Sequence, residues 1–164
     1  MKKSISFLLL IIFTVTLSSC SGYNKIMRNH LSDPASYCEY IVEVQKIAVS
    51  QYDSNKLGVF VKFFSKEEYA KFNGVSAENL TLSPEEYLIT LEIIGDNIKE
   101  VCDNGLMEEI QPGDIIEVMA SNWIYMDGNF FYIIGLSKDN KEYLNKDEGL
   151  QNLIVYMDEN KSLL

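Results

Sequence analysis

Few side chains in this sequence are placed to do chemistry. There is one histidine, His30, and no second one to complete a Ser-His or Cys-His arrangement. For zinc there is no two-His or Cys-x-x-Cys spacing, and no metal ligands are assigned. No glycine is preceded by the acidic pattern of an EF-hand loop. Adjacent acids recur at Glu67/Glu68, Glu85/Glu86, Glu108/Glu109 and Asp147/Glu148. Adjacent acids on helix starts are better explained by the helix dipole than by general acid–base work. A glycosidase needs two carboxylates facing across a cleft, and nothing in the sequence selects such a pair. Two further groups remain. Cys38 and Cys102 are an even pair outside Cys20, and either close a disulfide or stay as two buried thiols. A disulfide here would close a long loop and stabilise by about 4 kcal/mol in the chain-entropy picture. The aromatics Trp123, Tyr125 and Tyr132 lie around an Asp127-Gly128 turn, and exposed rings of this kind stack on ligands.

The first twenty residues carry the most specific signal. Lys2 and Lys3 precede an apolar run over 5–17, which ends in Leu17-Ser18-Ser19-Cys20. A short apolar core behind two lysines reads as a secretory signal peptide, too short to span a bilayer comfortably. Leu-Ser-Ser-Cys resembles the lipobox of bacterial lipoproteins. The resemblance implies cleavage before Cys20 and a diacylglyceryl (palmitate-type) thioether on its sulfur. Two acyl chains hold a protein on a membrane where one does not, so the lipid would replace a transmembrane helix. The expected segments are a signal peptide over 1–19, a lipidated cysteine and tether over 20–36, and one folded domain over 37–164. The expected location is the extracytoplasmic face of the cell membrane, or an outer membrane if the bacterium has two.

Composition limits the partners. Acidic side chains number 24 against 14 basic, a net charge of −10; losing Lys2 and Lys3 with the leader takes it to −12. Such a chain is poorly suited to nucleic acid, which rewards lysine and arginine. Arg28 is the single arginine, which leaves little for bidentate phosphate binding. A hydrophobic content of 47%, with ten tyrosines and eight phenylalanines, is ample for a core.

The elements that must position these groups follow from periodicity and punctuation. Tyr23, Ile26, Met27 and Leu31 have helical spacing within the tether, where His30 reads as solvated. Strands are expected over 37–50, 58–64 and 87–94, with a capped helix over 66–72 between the second and third. A helix over 97–104 should bury Ile98, Val101 and Cys102. Strands over 114–120, 122–126 and 129–136 follow, with an edge strand over 141–144. Asn145 then opens an amphipathic helix with Leu150, Leu153, Ile154 and Met157 on one face.

The pattern predicts a mainly β fold with short helices: a small OB-like Greek-key barrel of five or six strands plus a C-terminal amphipathic helix. An α+β sandwich is the alternative. The stretch over 110–136 resembles the later strands of small OB-like lipoproteins of Gram-positive bacteria, which implies extracytoplasmic binding or scaffolding and not a defined chemistry. Strand alternation puts Ile124, Met126, Phe131 and Ile133 inside and Trp123 and Tyr125 outside, beside Phe130 or Tyr132. The functional expectation is a non-catalytic binding or interaction module of the cell envelope, held to the membrane through Cys20 and without a cofactor. Its partner would be an envelope protein or a glycan. An assembly accessory of a membrane complex is the second reading, and a hydrolase of envelope polymers the third.

Overall fold

The computed structural model describes residues 25–50, 53–121, 123–125 and 128–160, excluding the side chains of 123–125 and 128–130. Its centre is a six-stranded antiparallel sheet in the order β3-β2-β1-β4-β7-β8, and β5 and β6 form a separate two-stranded ribbon. The strands are β1 (Tyr37–Val49), β2 (Lys56–Phe63), β3 (Leu88–Ile94), β4 (Ile115–Ser121), β5 (Trp123–Tyr125), β6 (Gly128–Phe130), β7 (Ile133–Lys138) and β8 (Lys141–Leu144). The helices are α1 (25–31), α2 (Lys66–Phe72), α3 (Asp96–Asp103), α4 (Leu106–Glu109) and α5 (Lys146–Glu159). The fold is therefore mainly β with short helices. The sheet is not closed by a full ladder. One parallel bridge, Glu92 to Tyr132, joins β3 to the start of β7, and the Glu92 N–H donates to the Phe131 carbonyl at 2.7 Å.

Local chemistry explains most of the boundaries. Ser65 Oγ accepts from the Glu68 N–H at 3.1 Å and starts α2. Asn145 Oδ1 accepts from the N–H groups of Asp147 and Glu148 and starts α5. Asp139 and Asn140 both adopt positive φ, 52° and 65°, the geometry of a tight turn between twisted strands, so β7 returns directly as β8. In β1 the pairing with β2 shifts between Val44 and Lys46. That bulge at Gln45 is why the hydrophobic alternation of the strand looks imperfect: it restores Ile47 to the inner face, opposite Val59.

Two cores lie on opposite faces of the sheet. The larger takes the inward residues of β1–β4, among them Val42, Val59, Leu91 and Val118, and is closed by α2, α3 and α4 through Phe72, Val101 and Leu106. Phe72 is fully buried, with its ring centroid 5.2 Å from Tyr40 and 5.1 Å from Phe131. The second core lies under α1 and α5. Met27 and Leu31 from α1 meet Leu150, Leu153 and Met157 from α5 over Tyr37, Ile94, Tyr132 and Ile134. Met27 and Leu31 have no exposed surface at all. Residues 25–36 are thus part of the folded body and not a tether, which corrects the boundary at 37. His30 is half-buried, with Nδ1 3.2 Å from Ser36 Oγ, and is not a solvated linker residue.

The buried tyrosines make a pH prediction. Burial raises the Tyr37 and Tyr40 phenols well above their ordinary range, and Tyr143 is pushed up to about 12, first by burial and then by its hydrogen bond to Glu109. The folded state keeps these protons at a pH where an unfolded tyrosine, near 10, has lost its own. Stability from this source is complete below about pH 10 and falls as pH rises through it. Urea midpoints should hold steady between pH 8 and 9.5 and drop sharply by pH 11. An unchanged midpoint at pH 11 would show that these phenols ionise freely in the native fold.

Candidate functional site

The structure separates the residues that the sequence groups together. The leader and Cys20 lie outside the described residues. Trp123 and Tyr125 stand on β5, opposite Phe130 and Gly128 of β6, and their side chains are outside the described set. Tyr132 is not a surface platform. It is 2% exposed and sits in the second core. Strand alternation does put Tyr132 on the face opposite Ile133, but α1 and α5 cover that face, so both sides of β7 are buried. Cys38 and Cys102 are free thiols. Cys38 packs from β1 against the main core, while on α3 it is Val101 that fills the buried position, so Cys102 turns outward and does not pair with Cys38.

Most of the paired acids are used locally. Glu86 forms a capping box with Ser83, whose backbone and side-chain donors hold its carboxyl below the usual range. Glu109 accepts from Lys141 Nζ at 2.6 and 2.7 Å and from the Tyr143 hydroxyl at 2.7 Å, which likewise lowers its pKa. Among the described residues no three His, Cys, Asp or Glu side chains gather as a metal-binding group.

What the fold builds instead is an open groove of about 510 Å³ on the outer face of β1, β4, β7 and β8. Of the covering helices only the first residue of α5, Lys146, lines the groove. The groove's floor is Ile41, Met119, Gly135 and Ser137, and Ile41 is 51% exposed. Gly135 keeps the floor low where α5 begins: a Cβ there would lie 3.2 Å from Met119 Cβ and 3.3 Å from Lys146 Cβ. Four carboxylates stand around it, Glu39, Glu117 and Glu142 from the sheet and Glu68 from α2. Ser137 Oγ donates to Glu117 Oε2 at 3.4 Å, and Asn145 Nδ2 donates to Glu142 Oε1 at 3.0 Å. No salt bridge among the described residues involves any of the four. The neighbouring lysines are committed elsewhere, Lys138 to Asp114 at 2.8 Å and Lys141 to Glu109.

Register makes the groove orderly. Glu39 faces Met119 and Ile41 faces Glu117 across the β1–β4 ladder, and Glu43 faces Ile115, itself 55% exposed, just beyond. Acid and apolar side chains therefore alternate both along each strand and across the pair. The alternation on β1 and on β4 is visible in the sequence. Which acid faces which apolar residue is not, because it depends on the ladder.

A second, shallower trough of about 400 Å³ lies on the outer face of β1, β2 and β3. Phe60 stands between Lys46 and Thr90, and Gly58 between Ala48 and Glu92. The small residues leave the phenyl ring partly uncovered. Lys56 reaches Glu92 at 3.4 Å along the side of the trough. Comparison of the chain with protein-family models, curated proteins and solved structures gave no match.

Proposed function

We propose that this protein is a lipid-anchored lipoprotein of the extracytoplasmic envelope whose folded body is a non-catalytic binding module. The observation that carries the binding reading is the open, half-apolar groove on β1, β4, β7 and β8. A sheet face that a protein leaves uncovered and partly apolar, beside one that its own helices cover, is the usual mark of an interaction surface. The anchor rests on the Leu-Ser-Ser-Cys ending of the leader at Cys20. No helix among the described residues is long and apolar enough to cross a membrane. Only residues 21–24 separate Cys20 from α1, which at 3.3–3.6 Å per residue gives a reach of at most about 18 Å. The body would then ride against the bilayer.

An OB-like barrel is the finer reading of the fold. Three features support it: the β1–β2–β3 meander, the return of β4 beside β1 after α3, and the parallel bridge from β3 to the start of β7. In that reading the Phe60 trough lies on the strand 2–3 face that such barrels use for ligands, and the β5–β6 ribbon with Trp123 and Tyr125 fills the loop between strands 4 and 5.

Metabolic labelling with an alkyne fatty acid tests the anchor. The full chain should take up label and Cys20→Ala should not; an Ala variant that still labels removes the lipobox reading. A benzophenone amino acid in place of Ile41 tests the module in the same cells. It should give one discrete cross-linked species, and the same probe in place of the exposed Val155 on α5 should not. A smear or no adduct at position 41 argues against a defined partner on this face.

A further inference from the structure

We infer that the groove on β1, β4, β7 and β8 holds an extended segment of a partner protein, one face of which alternates lysine or arginine with apolar side chains. This deepens the binding-module reading and rests on it. Outward side chains on a strand recur every second residue, about 6.6–6.8 Å apart, and neighbouring strands lie about 4.7–4.9 Å apart. Glu39, Ile41 and Glu43 therefore form a row of acid, apolar and acid, with Met119, Glu117 and Ile115 beside it in the complementary order. An extended peptide repeats its own side chains at the same interval. Laid along β1, it sets a cation over Glu39, an apolar side chain over Ile41 and a cation over Glu43. A helix, at 5.4 Å per turn, drifts out of step with this row.

Charge selects among occupants. Lys146 is the only cation among the described residues lining the groove, against four carboxylates. A second copy of this chain brings another net charge of −10 and the same acidic face. A nucleic acid or an anionic lipid headgroup is repelled for the same reason. The groove is also remote from the anchored end. It touches Asn145 and Lys146 at the start of α5, while α1 is tied by the Arg28–Asp158 ion pair, 2.8 Å, to the other end of that helix. The 14 residues of α5 span about 20 Å. A body held to the bilayer next to α1 would present the groove away from the lipid. Opposite charge across such a face steers encounter and fixes register, while the exposed isoleucines supply apolar contact.

The test uses the chain from residue 21 onward in solution, so it does not depend on lipidation at Cys20. The probe is a fluorescein-tagged peptide, Lys-Thr-Val-Thr-Lys-Thr-Val-Thr-Lys, which places lysine and valine alternately on one face. Fluorescence anisotropy should show saturable binding that weakens as salt shortens the screening length from about 10 Å at 0.1 M to about 3 Å at 1 M. Combining Glu39→Gln, Glu117→Gln and Glu142→Gln should weaken it roughly tenfold or more, with the melting temperature little changed. Removing the same charge elsewhere, by Glu78→Gln, Asp103→Asn and Glu159→Gln, should leave it within about twofold. A peptide of the same composition with its lysines consecutive should bind more weakly. The inference is overturned if the alternating peptide does not bind, if the permuted peptide binds equally, or if the distant triple variant loses as much as the groove variant. A dimer that Ile41→Lys dissociates, without peptide binding, would assign the face to a second copy and likewise overturn it. A discrete adduct at position 41 in cells, with no affinity for the basic peptide, would keep the binding module and remove only the basic partner.

Discussion

A chain that begins at residue 37 should lose cooperative folding, while one that begins at residue 21 keeps it. The short chain omits α1, and with it Met27 and Leu31, both completely buried against α5 and β7. Burying one side chain of this size contributes about 1.5–3 kcal/mol, so the pair contributes roughly 5 kcal/mol. The Tyr37 hydroxyl, which donates to the Leu31 carbonyl at 2.8 Å in a buried position, would also lose its acceptor. An unsatisfied buried group costs about 1–3 kcal/mol. Against a total stability of about 5–15 kcal/mol for an ordinary domain, the combined loss approaches the whole. The part of the second core that Met27 and Leu31 cover would be left open to water, and the truncated chain should aggregate or show a broad urea transition by near-ultraviolet circular dichroism. The milder Leu31→Ala in the longer chain should lower stability by about 3 kcal/mol with the transition still sharp. If the chain from residue 37 unfolds at the same midpoint as the longer one, α1 is only a tether.

The second large effect is expected from Gly149→Ala, and its sign is informative. Gly149 lies inside α5, where exchanging glycine for alanine ordinarily stabilises by about 1 kcal/mol. Here the helix backbone rests directly on β7. A Cβ added to Gly149 would fall within the van der Waals radius of the Ile134 carbonyl oxygen and 2.9 Å from its carbonyl carbon. Both are backbone atoms of a paired strand and cannot turn aside. The Asn97 side chain, 1% exposed, also donates to the Gly149 carbonyl at 2.9 Å and would move with the helix. Overpacking against backbone should outweigh propensity and destabilise by about 3 kcal/mol. For a chain of this length that is a fall of roughly 10 °C in melting temperature. A thermal melt that instead rises would show that α5 stands further from the sheet.

The amino-acid sequence alone determined the parts of this protein that depend on near neighbours. The caps at Ser65 and Asn145, the turn at Asp139-Asn140 and the apolar face Leu150, Leu153 and Met157 are readable because each involves residues within one or two helical turns. The same holds for the inward alternation of β2 and β4 and for the mainly β character of the chain. The exclusions are also compositional: a single histidine leaves no Ser-His or Cys-His partner set, and a net charge of −10 is poorly suited to nucleic acid.

Only the tertiary structure decided which outward faces stay open. Tyr132 and Ile41 both occupy the outer side of a strand, yet the first is buried under α1 and α5 and the second is half exposed. Nothing in their local sequence separates them. The difference comes from where two helices distant in the chain come to rest, and that depends on the missing Cβ of Gly149 and on Met27 and Leu31 filling the space beside it. The groove is non-local in the same sense. Its carboxylates come from β1, β4, β8 and α2, and they meet only because the β1–β4 register sets Glu39 beside Met119 and Ile41 beside Glu117. Strand register is chosen by burial on the inner face, and the outer face inherits the result.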